Sequence, residues 1–134
     1  MIDTTDVLGR VSLFAGLTRD DLERLSSHMR QTHFTAGDVV VREGTRGARV
    51  LAFFVILDGT ATVTVGGESR PALSAGDYFG EIGLLLDVPR TATVVAETDL
   101  VCSALSAWKF RGFIDDHPDV QATLARSLEA RLSQ

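Results

Sequence analysis

The run Phe79-Gly80-Glu81-Ile82-Gly83, followed after a leucine stretch by Asp87-Val88-Pro89-Arg90-Thr91-Ala92-Thr93-Val94, holds the residue types needed to grip an anion. Apolar residues after Gly80 and Glu81 predict a short helical turn, and a helix start presents unpaired N–H groups carrying partial positive charge. Glycine at that entry lets an anion approach the backbone closely. Arg90 supplies the other half of such a site, because its planar guanidinium makes two charge-assisted hydrogen bonds to one phosphate. Glu81 fits beside an anion if the ligand also carries hydroxyls, since a carboxylate accepts a sugar O–H while balancing Arg90. Taken singly, Arg90 reads as a surface arginine in a turn and Glu81 as a carboxylate stabilised by the helix dipole by ~0.3 to 1 kcal/mol. Gly80 and Gly83 flanking Glu81 at one helix entry tip the balance toward a ligand.

No other chemistry competes with it. His28, His33 and His117 are scattered without a metal-ligand spacing, which disfavours a metal-dependent cupin and makes each a half-exposed structural residue. Cys102 sits in the apolar stretch Leu100–Leu105, where a free thiol behaves as a small core hydrophobe rather than a redox centre. No nucleophile, base and orienting group recur in a working arrangement, so binding without turnover is expected, with no metal and no cofactor.

Length and composition bound the rest. The 134 residues are 45% hydrophobic, which suits a single domain over 1–134 that needs no staple. Thirteen basic against eighteen acidic residues give a net charge of −5, the wrong sign for direct nucleic-acid binding. One cysteine cannot form an internal disulfide, which points to the reducing cytoplasm. The longest apolar run, Val50 to Leu57, falls far short of the ~20 residues a membrane span needs, and Asp3 and Asp6 stand where a secretory signal would be basic.

The elements that must position the anion segment follow from periodicity. Leu17, Leu22, Leu25 and Met29 predict a helix over 18–29, with Thr18 as N-cap and Asp20, Asp21 and Glu23 at the positive end of its dipole. Val7, Val11 and Phe14 mark a shorter helix upstream, so that helices occupy about 4–29. From about 31 to 105, Val, Thr and Phe stretches broken by Gly37-Asp38, Glu43-Gly44, Asp58-Gly59, Gly66-Gly67 and Gly76-Asp77 predict many short strands in a small barrel or sandwich. The alternation over 60–65 is that of a half-buried strand. Ser106 caps a helix carrying Trp108, Phe110 and Phe113, read as packed on the barrel, and His117-Pro118 ends it. Val120, Leu124, Leu128 and Leu132 then form an apolar stripe, either packing on the barrel or serving as a lid or dimer seam.

The segment 79–94 resembles the phosphate-binding cassette of the cyclic-nucleotide-binding domain family, which includes catabolite-activator-type regulators and the regulatory β-rolls of cyclic-nucleotide-dependent kinases. Its pattern of Phe-Gly-Glu, a small residue two positions later, apolar residues, then Pro-Arg followed by a small residue, Ala-Thr and Val is met without a gap from Phe79 to Val94. Leu13-Phe14, Phe34, Gly37-Asp38, Val40, Glu43-Gly44, Ile56, Gly59 and Gly76-Asp77 stand in the family's order. The resemblance implies a mainly β fold, a double-stranded β-helix or jelly-roll-like β-roll of about eight strands, with N-terminal helices and C-terminal hinge and lid helices over about 106–132. It implies cAMP or cGMP as ligand. The N–H groups of Gly80, Ile82 and Gly83 would then face the cyclic phosphate, Glu81 the ribose 2′-hydroxyl and Arg90 the phosphate oxygens, with Phe79 opening the cassette.

Thr91 is compatible with either nucleotide. Leu124, Arg126 and Leu128 on the last helix are the lid candidates, and the same helix is the candidate homodimer seam, with an attached effector as the other implied partner. The resemblance has one departure: residues 48–53 make the segment before the Phe54 strand longer than usual, without the acidic residue that often follows Gly47, so an extended or bulged strand is expected there. Rival readings are a β-roll interaction module without ligand and the sensing part of a transcription regulator lacking its DNA-binding domain.

Overall fold

The computed structural model describes residues 4–44, 52–80 and 92–132. Helix α1 (Thr4–Arg10) and a 3-10 turn (Ser12–Phe14) realise the short upstream helix. Helix α2 (Arg19–Ser27) starts where Thr18 predicts. The Thr18 hydroxyl accepts from the Asp21 N–H at 3.1 Å, and Asp21 accepts from the Thr18 N–H at 3.3 Å, a reciprocal capping box.

Eight strands follow among the described residues: β1 (Arg30–Phe34), β2 (Val39–Val41), β3 (Ala52–Asp58), β4 (Ala61–Val65), β5 (Glu68–Leu73), β6 (Tyr78–Phe79), β7 (Thr93–Ala96) and β8 (Leu100–Ser106). They form two antiparallel four-stranded sheets, ordered β1-β8-β3-β6 and β2-β7-β4-β5. Because each sheet draws strands from distant parts of the chain, the sheets are rolled together rather than stacked as meanders. Helix α3 (Ala107–Asp116) begins at Ser106, whose hydroxyl accepts from the Lys109 N–H at 3.4 Å. It ends at His117, and Pro118 opens α4 (Pro118–Leu132).

Strand β3 explains why the long apolar run is a strand and not a helix. Its alternate residues Phe53, Val55 and Leu57 join a core with α1, α2, α3 and α4, while Phe54 and Ile56 join a second core between the two sheets. A strand buried on both faces carries no polar alternation. On the helix side Phe53 stacks on Phe110 with centroids 4.7 Å apart and meets Phe14 edge-on at 6.2 Å. On the other side Phe54 stacks on Phe79 at 4.9 Å.

Trp108 departs from its expected place. Phe110 and Ile114 are buried in the helix-side core with Phe113 packed against it, whereas Trp108 is 85% exposed. Helical phase is the reason, since two residues rotate the helix by roughly 200° and leave Trp108 opposite Phe110. The extended or bulged strand expected over 48–53 falls mainly on residues that are not described. Residues 48–51 lie outside the described part, and the register shift recorded in β3 falls between Ile56 and Asp58 against β8.

Candidate functional site

The two described residues of the cassette's entry, Phe79 and Gly80, are fixed by the edge of the first sheet. Phe79 pairs with Phe54 across β6 and β3 and is only 5% exposed. At Gly80 the chain turns out of β6 with φ +98°, a left-handed conformation that a Cβ would strain. Glu81, Ile82, Gly83, Arg90 and Thr91 lie outside the described residues. The chain is described again from Ala92, and β7 runs in the middle of the second sheet between β2 and β4. The segment 81–91 is therefore anchored at one end on an edge strand of one sheet and at the other on an inner strand of the opposite sheet.

Burial between the sheets falls toward that attachment. On the inward face Ala61 and Ala96, paired at one end of β4 and β7, are fully buried, whereas Val63, paired with the buried Val94 nearer the start of β7, is only partly so. Polar ties hold this looser end. The Glu43 N–H donates to the Thr93 hydroxyl at 3.0 Å, and the Glu43 carboxylate accepts from the Gly66 N–H at 2.9 Å, joining the turn after β2 to the start of β7 and the β4–β5 hairpin tip. Sequence reasoning takes Glu43-Gly44 as a turn and misses this role, because the partners lie 23 and 50 positions away.

The lid candidates are placed elsewhere in this conformation. Leu124 is 1% exposed and, with Val120, sits in the helix-side core beside the 3-10 turn and α1. Arg126 is exposed and donates from Nη2 to the Thr123 hydroxyl at 3.3 Å. The Leu128 and Leu132 side chains are outside the described part. Half of the apolar stripe is thus engaged within the monomer, and none of its described members reaches the core between the sheets.

The remaining candidates resolve simply. Cys102 is fully buried between the sheets, and burial pushes its thiol up to about 12, leaving an inert core residue. His117 stacks on Phe113 at 4.3 Å, and its Nδ1 donates to the Phe113 carbonyl at 2.9 Å. Among the described residues no three His, Cys, Asp or Glu converge as metal ligands, and no helix is long and apolar enough to cross a membrane.

The profile of the Cyclic nucleotide-binding domain family matches residues 31–117. A cGMP-dependent protein kinase of Caenorhabditis briggsae is 38% identical over 96 residues, 67% of this chain but 12% of the kinase. The chain thus spans a small part of that relative's length. Among solved structures, the regulatory domain of Toxoplasma gondii PKA with cAMP superposes with a TM-score of 0.84 at 25% identity, covering 95% of this chain and 49% of that one. The catabolite activator protein of Thermus thermophilus superposes with a TM-score of 0.77 at 28% identity, covering 90% of this chain and 58% of that one.

Proposed function

The chain belongs to the cyclic nucleotide-binding domain family, and we propose that it binds cAMP or cGMP at the looser end of its β-roll and acts as a non-enzymatic regulatory sensor in the cytoplasm. The observation that carries this reading is the attachment of segment 81–91. It leaves β6 through the left-handed Gly80 and rejoins the opposite sheet at β7, on whose inward face Val63 of β4 is only partly buried. A ligand seated there touches both sheets. In this reading the N–H groups of Gly80, Ile82 and Gly83 receive the cyclic phosphate, Arg90 pairs with its oxygens, Glu81 accepts the ribose 2′-hydroxyl, and Thr91 adds a hydroxyl near the phosphate or purine. Phe79, stacked on Phe54, forms the fixed apolar floor from which the segment departs.

In this reading Arg90 and Glu81 neutralise and orient charge rather than move a proton. Occupancy is transmitted by bias: the ligand favours the conformation in which segment 81–91 has closed on it, and that shifts α3 and α4. A lid role for Leu124, Arg126 or Leu128 then requires α4 to leave its present packing against the 3-10 turn. The effector driven by this movement belongs to a longer protein or a partner, as in kinases and transcription regulators of similar fold.

Calorimetric titration of cAMP and cGMP into the purified chain tests the proposal. Heat of binding is expected from at least one nucleotide. Arg90→Ala is expected to weaken it roughly 10- to 150-fold, for the loss of charge-assisted bonds worth ~1.5 to 3 kcal/mol. No heat from either nucleotide overturns the reading and leaves a β-roll interaction module.

A further inference from the structure

The groove between α2 and α3 is formed by residues that nucleotide binding leaves unused. It encloses about 700 Å³, with Leu25, Leu105 and Phe113 as its apolar lining and Trp108 on its rim. A lone exposed apolar residue is ordinary. Trp108 differs, because it stands beside a groove and on a helix whose exposed face also carries Gly112. Glycine weakens a helix interior relative to alanine, yet a Cβ at Gly112 would meet nothing within 4 Å. No contact among the described residues requires it. Lacking a Cβ there, α3 leaves room for another helix to come close.

Charge is sorted along the same groove. Asp21 Oδ1 lies 3.9 Å from His117 Nε2, so the first turn of α2 meets the end of α3. Asp21 and Asp116 therefore share one end of the groove, while Lys109 lies at the other end of α3, seven residues before Asp116.

We propose that a second copy of this chain docks in this groove, about a two-fold axis passing near Gly112, with the two α3 helices antiparallel. That axis sets Lys109 against the partner's Asp116 and Asp116 against the partner's Lys109, so the charge sorting is its own complement, as an isologous interface demands. It also carries each Trp108 ring toward the other copy's stacked Phe113 and His117. Tryptophan entering an apolar recess at the centre of an interface is the usual form of a binding hot spot. This face is distinct from the α4 stripe, whose Val120 and Leu124 are buried within the monomer.

Sedimentation velocity over a concentration series, read together with fluorescence, tests the proposal, since Trp108 is the chain's single tryptophan. A monomer–dimer equilibrium is expected, with Trp108 emission moving to the blue and becoming protected from iodide as dimer forms. Trp108→Ala is expected to weaken association roughly 30-fold or more. Lys109→Asp and Asp116→Lys should each weaken it, while the double variant, or an equimolar mixture of the two single variants, restores it. A chain that stays monomeric, a dimer that survives Trp108→Ala, emission already blue and protected in the monomer, or a double variant no better than the singles would each overturn the proposal.

Discussion

His117 joins the end of α3 to the beginning of α2: while its Nδ1 donates to the Phe113 carbonyl at 2.9 Å, its Nε2 stands 3.9 Å from Asp21 Oδ1. The contact is an ion pair only when the imidazole is protonated. Asp21 is already occupied by the capping box, so one carboxylate serves both a helix start and a link between the N-terminal and C-terminal helices.

The Asp21 carboxyl is held below its ordinary value of 3.8, first by the Thr18 backbone N–H and then by the Thr18 hydroxyl, with burial opposing and His117 and Arg24 adding smaller attractions. A carboxylate depressed in the folded state adds stability above its unfolded value, and that stability is lost as pH falls through the folded value. Thr18→Ala should cost about 1 kcal/mol at pH 7 and raise the Asp21 value. Urea melts at pH 7 and pH 3 should show the gap between variant and wild type shrinking in acid. An unchanged gap would mean that the hydroxyl does not act through Asp21.

Gly80 and Gly37 have nearly the same left-handed φ, +98° and +97°, but lie in different places. Gly37 donates to the Ala96 carbonyl beside the fully buried end of β7, and Gly80 lies where the chain leaves β6. Alanine at either should cost roughly 1 to 3 kcal/mol of backbone strain. Thermal melts should record similar losses for both, while nucleotide affinity falls in Gly80→Ala and holds in Gly37→Ala. Equal affinities would detach Gly80 from the site.

Phe53→Ala removes the ring that packs on Phe14, Tyr78 and Phe110 together. A loss of about 3 to 5 kcal/mol is expected, a large share of the ~5 to 15 typical of a whole domain. Equilibrium denaturation measures it. A cost below 1 kcal/mol would show that the helix-side core repacks around the gap.

With its thiol raised to about 12 from 9.0 by burial, Cys102 keeps its proton in the folded state where the unfolded chain loses it. Folding therefore weakens as pH rises above about 9, because the unfolded state binds fewer protons. At pH 8 the thiol should react with iodoacetamide only as fast as the protein opens. Mass spectrometry of the alkylated fraction checks this, and labelling at the rate of a free thiol would contradict the burial.

Local signals made much of this fold legible. Thr18 and Ser106 marked their helices because a cap depends only on the residues beside it. The Val50–Leu57 run was visible as apolar, but nothing in it states that Phe53 and Phe54 face different cores, since each core is completed by residues far away in the chain. The cassette was legible as a motif from Phe79 to Val94, and the structure describes its two anchors. The tie of Glu43 to Thr93 and Gly66 was not legible, because an acidic residue before glycine reads as a turn whatever its carboxylate later meets. Trp108 shares its aromatic type with Phe110 and Phe113 but not their helical phase, and phase rather than residue type decides which of them is buried.

Strand β3 is a party wall. Phe54 and Ile56 line one room and Phe53, Val55 and Leu57 the other, so a small displacement of its backbone is felt on both sides at once. Close-packed interiors yield little. Pressure applied through Phe79 and Phe54 would arrive at Phe110 by way of its neighbour Phe53, with no lever longer than one peptide unit between them.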